Sequence, residues 1–213
     1  MIDNDVLIKC ACYAMLDQIQ SDSSRHNDIG VLGAARFVVR SYLESRGQIA
    51  DRKAAQSRFI SFLAAAQSLE PTEDELQLAS AIEEKATELG LNLDGGESQL
   101  CAIAILRPSP LVLTGDKRAI KGAESLLEDL PALASLSGRI VCLEQAVIGI
   151  VGRIGVRTAR SLVCAEPSVD KSISICFECS ADDNREFSLT GLTSYVNDLS
   201  LQAPTLLYNG DGI

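Results

Sequence analysis

The chain has 213 residues, of which 46% are hydrophobic and only 4% aromatic, so one aliphatic core, with or without an appended piece, is expected. A formal net charge of −10 argues against a strongly basic nucleic-acid module. No apolar run reaches the roughly 18 residues of a membrane-spanning helix, so no membrane partner is expected.

The first half of the chain predicts helices joined by polar connections. The spacing of apolar residues predicts a short strand and then a helix over residues 6–20, and helices over residues 29–43 and 54–69. The next helix has a clear start signal, because Thr72 can cap it and Glu75 can reach back to form a capping box. Gly90 can end this helix.

The second half adds strands. We expect a loop and then a helix over residues 94–106, a strand over 111–114, a helix over 117–127, a strand over 139–143, a long helix over 144–165, strand-like alternation over 172–179 and a final helix over 188–201. Strands separated by helices predict a three-layer α/β/α core with a central, mainly parallel sheet. In such sheets the functional site lies beyond the carboxyl ends of the strands.

Acidic residues stand at the ends of several predicted elements. Asp3 and Asp5 are two residues apart, so an extended segment would point both side chains to one side. Asp94 and Glu97 precede or begin a helix, and Asp116 follows an apolar strand. Like charges at one spot are costly unless a cation neutralises them, and carboxylates suit Mg²⁺ or Mn²⁺. The alternative is that these carboxylates, Asp94 in particular, only cap helices.

Three segments carry a family resemblance. They are Ile-Asp-Asn-Asp-Val-Leu-Ile at residues 2–8, Gly-Glu-Ser-Gln-Leu-Cys-Ala at 96–102 and Leu-Thr-Gly-Asp-Lys-Arg-Ala at 113–119. In this order and spacing they resemble the PIN-domain family of metal-dependent nucleases. The resemblance covers about residues 1–145 and leaves residues 146–213 as a C-terminal extension, expected to pack on the same core.

The resemblance implies a divalent-metal-dependent ribonuclease that cleaves single-stranded RNA. It assigns Asp3, Glu97 and Asp116 as the catalytic metal ligands, with Asp5 and Asp94 as supporting ligands for Mg²⁺ or Mn²⁺. Many family members also carry a glutamate on an early helix, and Glu44 is the candidate for that role here.

Two other functions remain open. Asp3 and Asp5 also match the nucleophile and the acid/base residue of haloacid-dehalogenase-type phosphatases, although Leu7 stands where that family normally has Thr or Val. The other alternative is a catalytically inactive PIN-like module that binds RNA or protein.

Substrate contact requires positive charge near an acidic site. Residues 25–58 hold seven Lys and Arg against three Asp and Glu, and Arg36 and Arg40 are the first candidates there. Arg153 and Arg157 are the second, on one face of the predicted long helix together with Arg160. Gly149, Gly152 and Gly155 on that helix would allow close approach of a second copy, which predicts a homodimer. The C-terminal extension is also expected to offer a surface to a protein partner.

Seven cysteines occur without a visible secretory signal, which predicts reduced thiols in a cytoplasmic protein. Cys176 and Cys179 have metal-ligand spacing, with Cys164 upstream, but a second such pair is missing and the only histidine is His26. Zinc is therefore the lesser alternative to ordinary thiols.

Overall fold

A computed structural model describes residues 1–20, 29–108, 111–180 and 189–210, which form a mixed α/β protein rich in helix. The helices of these residues are α1 (Asn4–Cys12), α2 (Leu16–Gln20), α3 (Ala35–Ser45), α4 (Arg52–Ala65), α5 (Glu73–Glu88), α6 (Gly95–Leu106), α7 (Lys117–Ser125), α8 (Leu143–Ile154), α9 (Val156–Ala165), α10 (Lys171–Cys176) and α11 (Thr190–Gln202). A 3₁₀ helix spans Pro131–Leu136. The strands are β1 (Gly30–Leu32), β2 (Gln67–Leu69), β3 (Val112–Thr114) and β4 (Ile140–Cys142).

The strands form two short parallel pairs, β1 with β2 and β3 with β4. Ile2 lies between the pairs and makes a single parallel bridge to Val31 in β1 and another to Leu113 in β3. Two backbone hydrogen bonds fix this position, because Ile2 N donates to Gly30 O and Asp3 N donates to Leu113 O, both at 2.9 Å. The start of helix α1 is therefore held at the carboxyl ends of β1 and β3.

Strands β3 and β4 lie where the apolar runs predict them. All three residues of each are buried, as is typical of parallel strands covered on both faces. Strand β1 occupies the start of the helix predicted over residues 29–43, and strand β2 occupies the end of the helix predicted over residues 54–69, so both predictions were wrong at those ends. Gly30 permits this pairing, because a Cβ there would meet Leu69 Cδ1 at 2.7 Å. Tertiary pairing, which local periodicity does not encode, decides these segments.

The capping box predicted for α5 is confirmed. Glu75 N donates to Thr72 Oγ1 at 3.3 Å, and Thr72 N donates to Glu75 Oε2 at 2.7 Å. Gly90, with φ +66°, follows the helix and adopts the left-handed conformation that glycine favours. Glu75 is only 2% exposed and accepts two hydrogen bonds from Arg107, so this cap is also a buried ion pair.

The region after residue 143 differs from the prediction in two ways. The long helix over 144–165 is divided at Gly155, whose φ of +81° separates α8 from α9. Residues 171–176 form helix α10, not a strand, because the Asp170 side chain accepts a hydrogen bond from Ile173 N and caps a helical turn. The final helix is confirmed as α11.

A disulfide joins Cys164 to Cys179, so the prediction of reduced thiols was wrong for this pair. The end of α9 and the segment after α10 approach to a Cα–Cα distance of 5.0 Å, which places the two cysteines within bonding range. The other five cysteines are buried free thiols.

One hydrophobic cluster joins the N-terminal helices to the C-terminal ones. It includes Leu7 of α1, Phe59 of α4, Val147 of α8, Ile173 of α10 and Leu192 of α11. The division predicted at residue 145 stays a prediction, and helix α8 runs across that position. In the described ranges, no helix has both the length and the apolar character needed to cross a membrane.

Candidate functional site

Three helices begin at one open cleft. Asp3 caps α1, Asp94 caps α6 and Asp116 caps α7, so the partial positive charges of three helix N-termini face the same space. The cleft encloses about 930 Å³, within the range of small-molecule sites. Its acidic lining is Asp3, Asp5, Asp94, Glu97 and Asp116. The structure thus brings together the five acidic residues that the sequence singles out.

Asp3 is held between β3 and α1. Its Oδ1 accepts a hydrogen bond from Asn4 N at 2.7 Å, and its Oδ2 accepts one from Thr114 Oγ1 at 3.4 Å. The prediction that an extended segment aligns Asp3 with Asp5 was wrong, because α1 begins at Asn4 and Asp5 lies in the first turn of that helix. Both residues line the cleft nonetheless, since the helix starts at its edge.

Asp94 and Glu97 form a reciprocal capping box at the start of α6. Asp94 Oδ1 accepts from Gly96 N and Glu97 N, both at 2.9 Å, and Glu97 Oε2 accepts from Asp94 N at 3.0 Å. The capping role considered for Asp94 is therefore confirmed. It does not exclude a role in the cleft, because each carboxylate has lone pairs beyond those used by the cap.

Asp116 caps α7 through its Oδ1, which accepts from Arg118 N at 2.7 Å and Ala119 N at 3.3 Å. Its Oδ2 pairs with the Arg118 guanidinium at 3.0 Å. Burial raises the pKa of Asp116, but the hydrogen bonds and charge of Arg118 outweigh that effect and hold the pKa below its ordinary value. Asp116 is therefore ionised at neutral pH.

Asp3 and Glu97 have the opposite electrostatic situation. Burial, together with the charges of Asp5 and Asp94, raises the pKa of Asp3 to about 6 against the opposing effect of the hydrogen bond from Asn4. Burial, together with the charges of Asp94, Asp116 and Asp3, raises the pKa of Glu97 to about 8. Neither side chain forms an ion pair within the described part of the chain. Negative charge is thus crowded here without a full set of protein counter-ions.

Lys9 was not among the residues that the sequence predicted for the site, yet it is the cation nearest to Asp5. Its Nζ lies 2.6 Å from Asp5 Oδ2 and 2.7 Å from Asp170 Oδ2, so it joins α1 to the start of α10. Burial lowers the pKa of Lys9, but the two carboxylates more than compensate and raise it. Gly115 makes room for this pair, because a Cβ there would lie 2.0 Å from Asp5 Oδ2. The i to i+4 spacing of Asp5 and Lys9 was the available sequence signal.

Lys117 is a second cation at the cleft that the sequence reasoning missed. Its Nζ pairs with Glu144, which is only 1% exposed, and lies 5.0 Å from the centre of the Tyr195 ring. Glu144 follows strand β4 just as Asp116 follows strand β3. This repeated position at the carboxyl end of a strand could have identified Glu144 from the sequence. The C-terminal helix α11 thereby reaches the site through Tyr195.

The other predicted contact residues lie outside the acidic lining. Glu44 pairs with Arg40 at 2.7 Å and lines a separate groove with Arg36, so its assignment as an early-helix metal ligand was wrong. The division at Gly155 also contradicts the single helical face predicted for Arg153 and Arg157. Arg153 donates to Gln18 O at 3.2 Å, and Arg157 is exposed on α9.

A ready-made metal shell is not present among residues 1–20, 29–108, 111–180 and 189–210, because no three His, Cys, Asp or Glu side chains there are grouped to hold an ion. The cap hydrogen bonds of Asp94, Glu97 and Asp116 hold these carboxylates at their helix ends. His26 lies outside the described residues. Cys179, one of the two cysteines whose spacing suggested a zinc site, is bonded to Cys164.

No protein-family model matches this chain, and neither the curated proteins nor the solved structures contain a significant match to it.

Proposed function

We propose that this protein is a divalent-metal-dependent ribonuclease of PIN type that hydrolyses single-stranded RNA, with β1, β2, Ile2, β3 and β4 forming the centre of a three-layer α/β/α core. The observation that carries the proposal is the meeting of Asp3, Glu97 and Asp116 at one open cleft, where burial and mutual repulsion raise the pKa of Asp3 and Glu97. Such crowding of carboxylates is costly unless a cation is bound.

Asp3, Glu97 and Asp116 would hold Mg²⁺ or Mn²⁺, with Asp5 and Asp94 supporting them. Mg²⁺ retains several waters and often takes only one or two carboxylates plus substrate phosphates, so a closed shell of side chains is not required before substrate binds. When bound, the ion supplies a water of lowered pKa and positive charge opposite the phosphoryl oxygens. Glu97 must release its proton to bind the cation.

In the hydrolysis, water adds to phosphorus, the bond from phosphorus to the leaving ribose oxygen breaks, and the proton that the water loses ends on that leaving oxygen. Lys117 and Arg118 line the cleft and can bind the phosphate oxygens. Asp116, which stays ionised, keeps the cleft competent for the cation at neutral pH. The three helix N-termini add partial positive charge near the developing negative charge.

The decisive test is Asp116→Asn. Asparagine still caps a helix, so folding should persist while cleavage of a fluorogenic single-stranded RNA with Mn²⁺ falls by roughly 100-fold or more. Asp51→Asn is the matched control, because Asp51 caps α4 by accepting from Ala54 N at 3.0 Å and does not line the cleft. Wild-type cleavage that persists in excess EDTA would contradict the proposal.

The alternatives predict different results. We place the phosphatase second, because Asp5, its acid/base residue, is paired with Lys9. That enzyme would form an acid-labile adduct on Asp3. The inactive module is favoured by one observation, which is that Lys9 and Arg118 already neutralise Asp5 and Asp116. It would bind RNA without Mn²⁺ dependence and would not cleave it.

The homodimer, a protein partner for the C-terminal extension and a cytoplasmic location stay predictions. Gly152 and Gly155 leave the space around their Cα atoms open, which supports close approach of a second chain.

A further inference from the structure

A groove of basic and aromatic residues lies beside the acidic cleft, on the other side of helix α3. Its lining includes Arg36, Phe37, Arg40 and Glu44 of α3 and Phe59 and Ile60 of α4, and it encloses about 290 Å³. Val38 of the same helix lines the acidic cleft. The first two turns of α3 therefore separate the groove from the cleft, and a bound chain can pass from one to the other over this helix.

Phe37 is the unusual residue of this groove. Its side chain is 68% exposed, whereas Phe59, Phe62 and Phe177 are at most 2% exposed. The Arg36 guanidinium lies 5.2 Å from the centre of the Phe37 ring, so a cation and an aromatic face are presented together. Exposing an aromatic ring next to an arginine adds nothing to the core, but this combination binds stacked bases and phosphates.

The charges around the groove favour a polyanion. Helices α3 and α4 together carry five basic residues against the single acid Glu44, in a chain whose net charge is −10, and of these charged residues Arg36, Arg40 and Glu44 line the groove itself. The ion pair of Arg36 with Glu70 is long, at 3.9 Å, and both partners are more than half exposed. Arg40 pairs with Glu44 at 2.7 Å on the open surface, where solvent screens the interaction and leaves the guanidinium able to bind a phosphate instead.

The same charges disfavour a second copy of this chain as the occupant. A two-fold interface through this groove would bring together helices α3 and α4 of both copies, which carry five basic residues per copy against the acid Glu44, with Glu70 paired to Arg36. A single strand of RNA supplies both a flat base for Phe37 and phosphates for the two arginines.

We propose that Phe37, Arg36 and Arg40 form a binding subsite for one nucleotide of single-stranded RNA, with the base stacked on Phe37, the flanking phosphates on Arg36 and Arg40, and the strand continuing over α3 into the acidic cleft. The direction of the strand into the cleft rests on the proposed nuclease function, whereas binding at the groove does not require cleavage.

The test measures binding of fluorescein-labelled oligouridine in EDTA, where a metal-dependent enzyme cannot cleave. Phe37→Ala should weaken binding by roughly 5- to 100-fold, the range found for loss of one base–aromatic stack. Phe37→Tyr should bind like the wild type, and Phe37→Leu should bind like Phe37→Ala, because leucine keeps an apolar side chain but no ring. Since Phe37 is exposed, these variants should keep the wild-type unfolding temperature.

Arg36→Gln should weaken binding and reduce the dependence of binding on salt by about 0.7 in log–log slope for each phosphate that the protein no longer neutralises. Arg46→Gln is the matched control. Arg46 also stacks on an aromatic ring, 4.9 Å from the centre of Tyr42, but it does not line the groove.

The outcomes separate this proposal from the nuclease proposal. Unchanged oligouridine affinity in Phe37→Ala overturns the subsite even if the wild type cleaves RNA with Mn²⁺. Affinity that falls in Phe37→Ala but not in Phe37→Tyr supports the subsite even if no cleavage is found. Equal binding by Phe37→Leu and wild type, or a light-scattering mass that falls from a dimer to 22.7 kDa in Phe37→Ala, would show a protein interface and overturn it.

Discussion

At the scale of single residues, Glu97 and Glu75 show how the same local role can have opposite electrostatics. Both are the third residue of a helix and complete a capping box. Hydrogen bonds from Arg107 hold the pKa of Glu75 below its ordinary value, whereas burial raises that of Glu97 to about 8. Only Glu97 lies among other carboxylates, which is the arrangement expected where a cation binds.

Glu97→Gln should therefore stabilise the metal-free protein. A raised pKa means that the folded protein holds the proton more tightly, so the wild type loses stability as the pH rises from the ordinary value near 4.5 to about 8. In EDTA the variant's free energy of unfolding should exceed that of the wild type by about 1 kcal/mol at pH 8, allowing for solvent screening, and match it near pH 4. Denaturant unfolding at both pH values measures this difference.

Glu75→Gln provides the control with the opposite sign. The lowered pKa of Glu75 stabilises the folded wild type at every pH above the ordinary glutamate pKa, and this stabilisation is lost as the pH falls through the lowered pKa. Glutamine cannot supply it, so Glu75→Gln should have a smaller free energy of unfolding than the wild type at pH 8. A Glu97→Gln variant that is also less stable at pH 8 in EDTA would contradict the raised pKa.

At the scale of elements, helix α10 is held at both of its ends, and its N-terminal end connects the C-terminal region to the cleft. Asp170 caps it and pairs with Lys9 at 2.7 Å, and Cys179, just after it, is bonded to Cys164 at the end of α9. The disulfide thus fixes the helix whose first residues contribute to the charge network around Asp5.

The disulfide yields a direct chemical prediction. Alkylation of the unfolded, unreduced protein should modify five cysteines, and prior reduction should increase this to seven. Reduction should lower the free energy of unfolding by about 2–4 kcal/mol, the usual contribution of a loop of this size. Modification of all seven cysteines without a reductant would show that the pair is not formed.

At the scale of the whole molecule, a bound cation should offset the repulsion within the cleft. Mn²⁺ should raise the unfolding temperature in proportion to its binding, and the shift should increase from pH 6 to pH 9, because Asp3 and Glu97 lose protons with pKa values of about 6 and 8. Thermal unfolding at several Mn²⁺ concentrations measures this shift. A shift that is independent of pH, or unchanged in Asp116→Asn, would place Mn²⁺ elsewhere.

The sequence by itself determined the local structures whose signals lie within a few residues. The capping box at Thr72 and the cap at Asp94 follow from side chains that satisfy their own neighbouring backbone. Strands β3 and β4 and the final helix α11 lie where local sequence patterns predict them. The placement of Asp3, Glu97 and Asp116 at element ends was likewise visible, because parallel strands direct their carboxyl ends to one side.

Only the tertiary structure decided the features that depend on distant residues. Strands β1 and β2 exist because they pair with each other across a helix pair, against the local helical periodicity. Asp170, far along the chain, supplies the second ion pair of Lys9, and Cys179 met Cys164 instead of joining Cys176 in a metal site. Interactions between segments so far apart in the chain leave no periodic signal in the sequence, so local pattern could not reveal them.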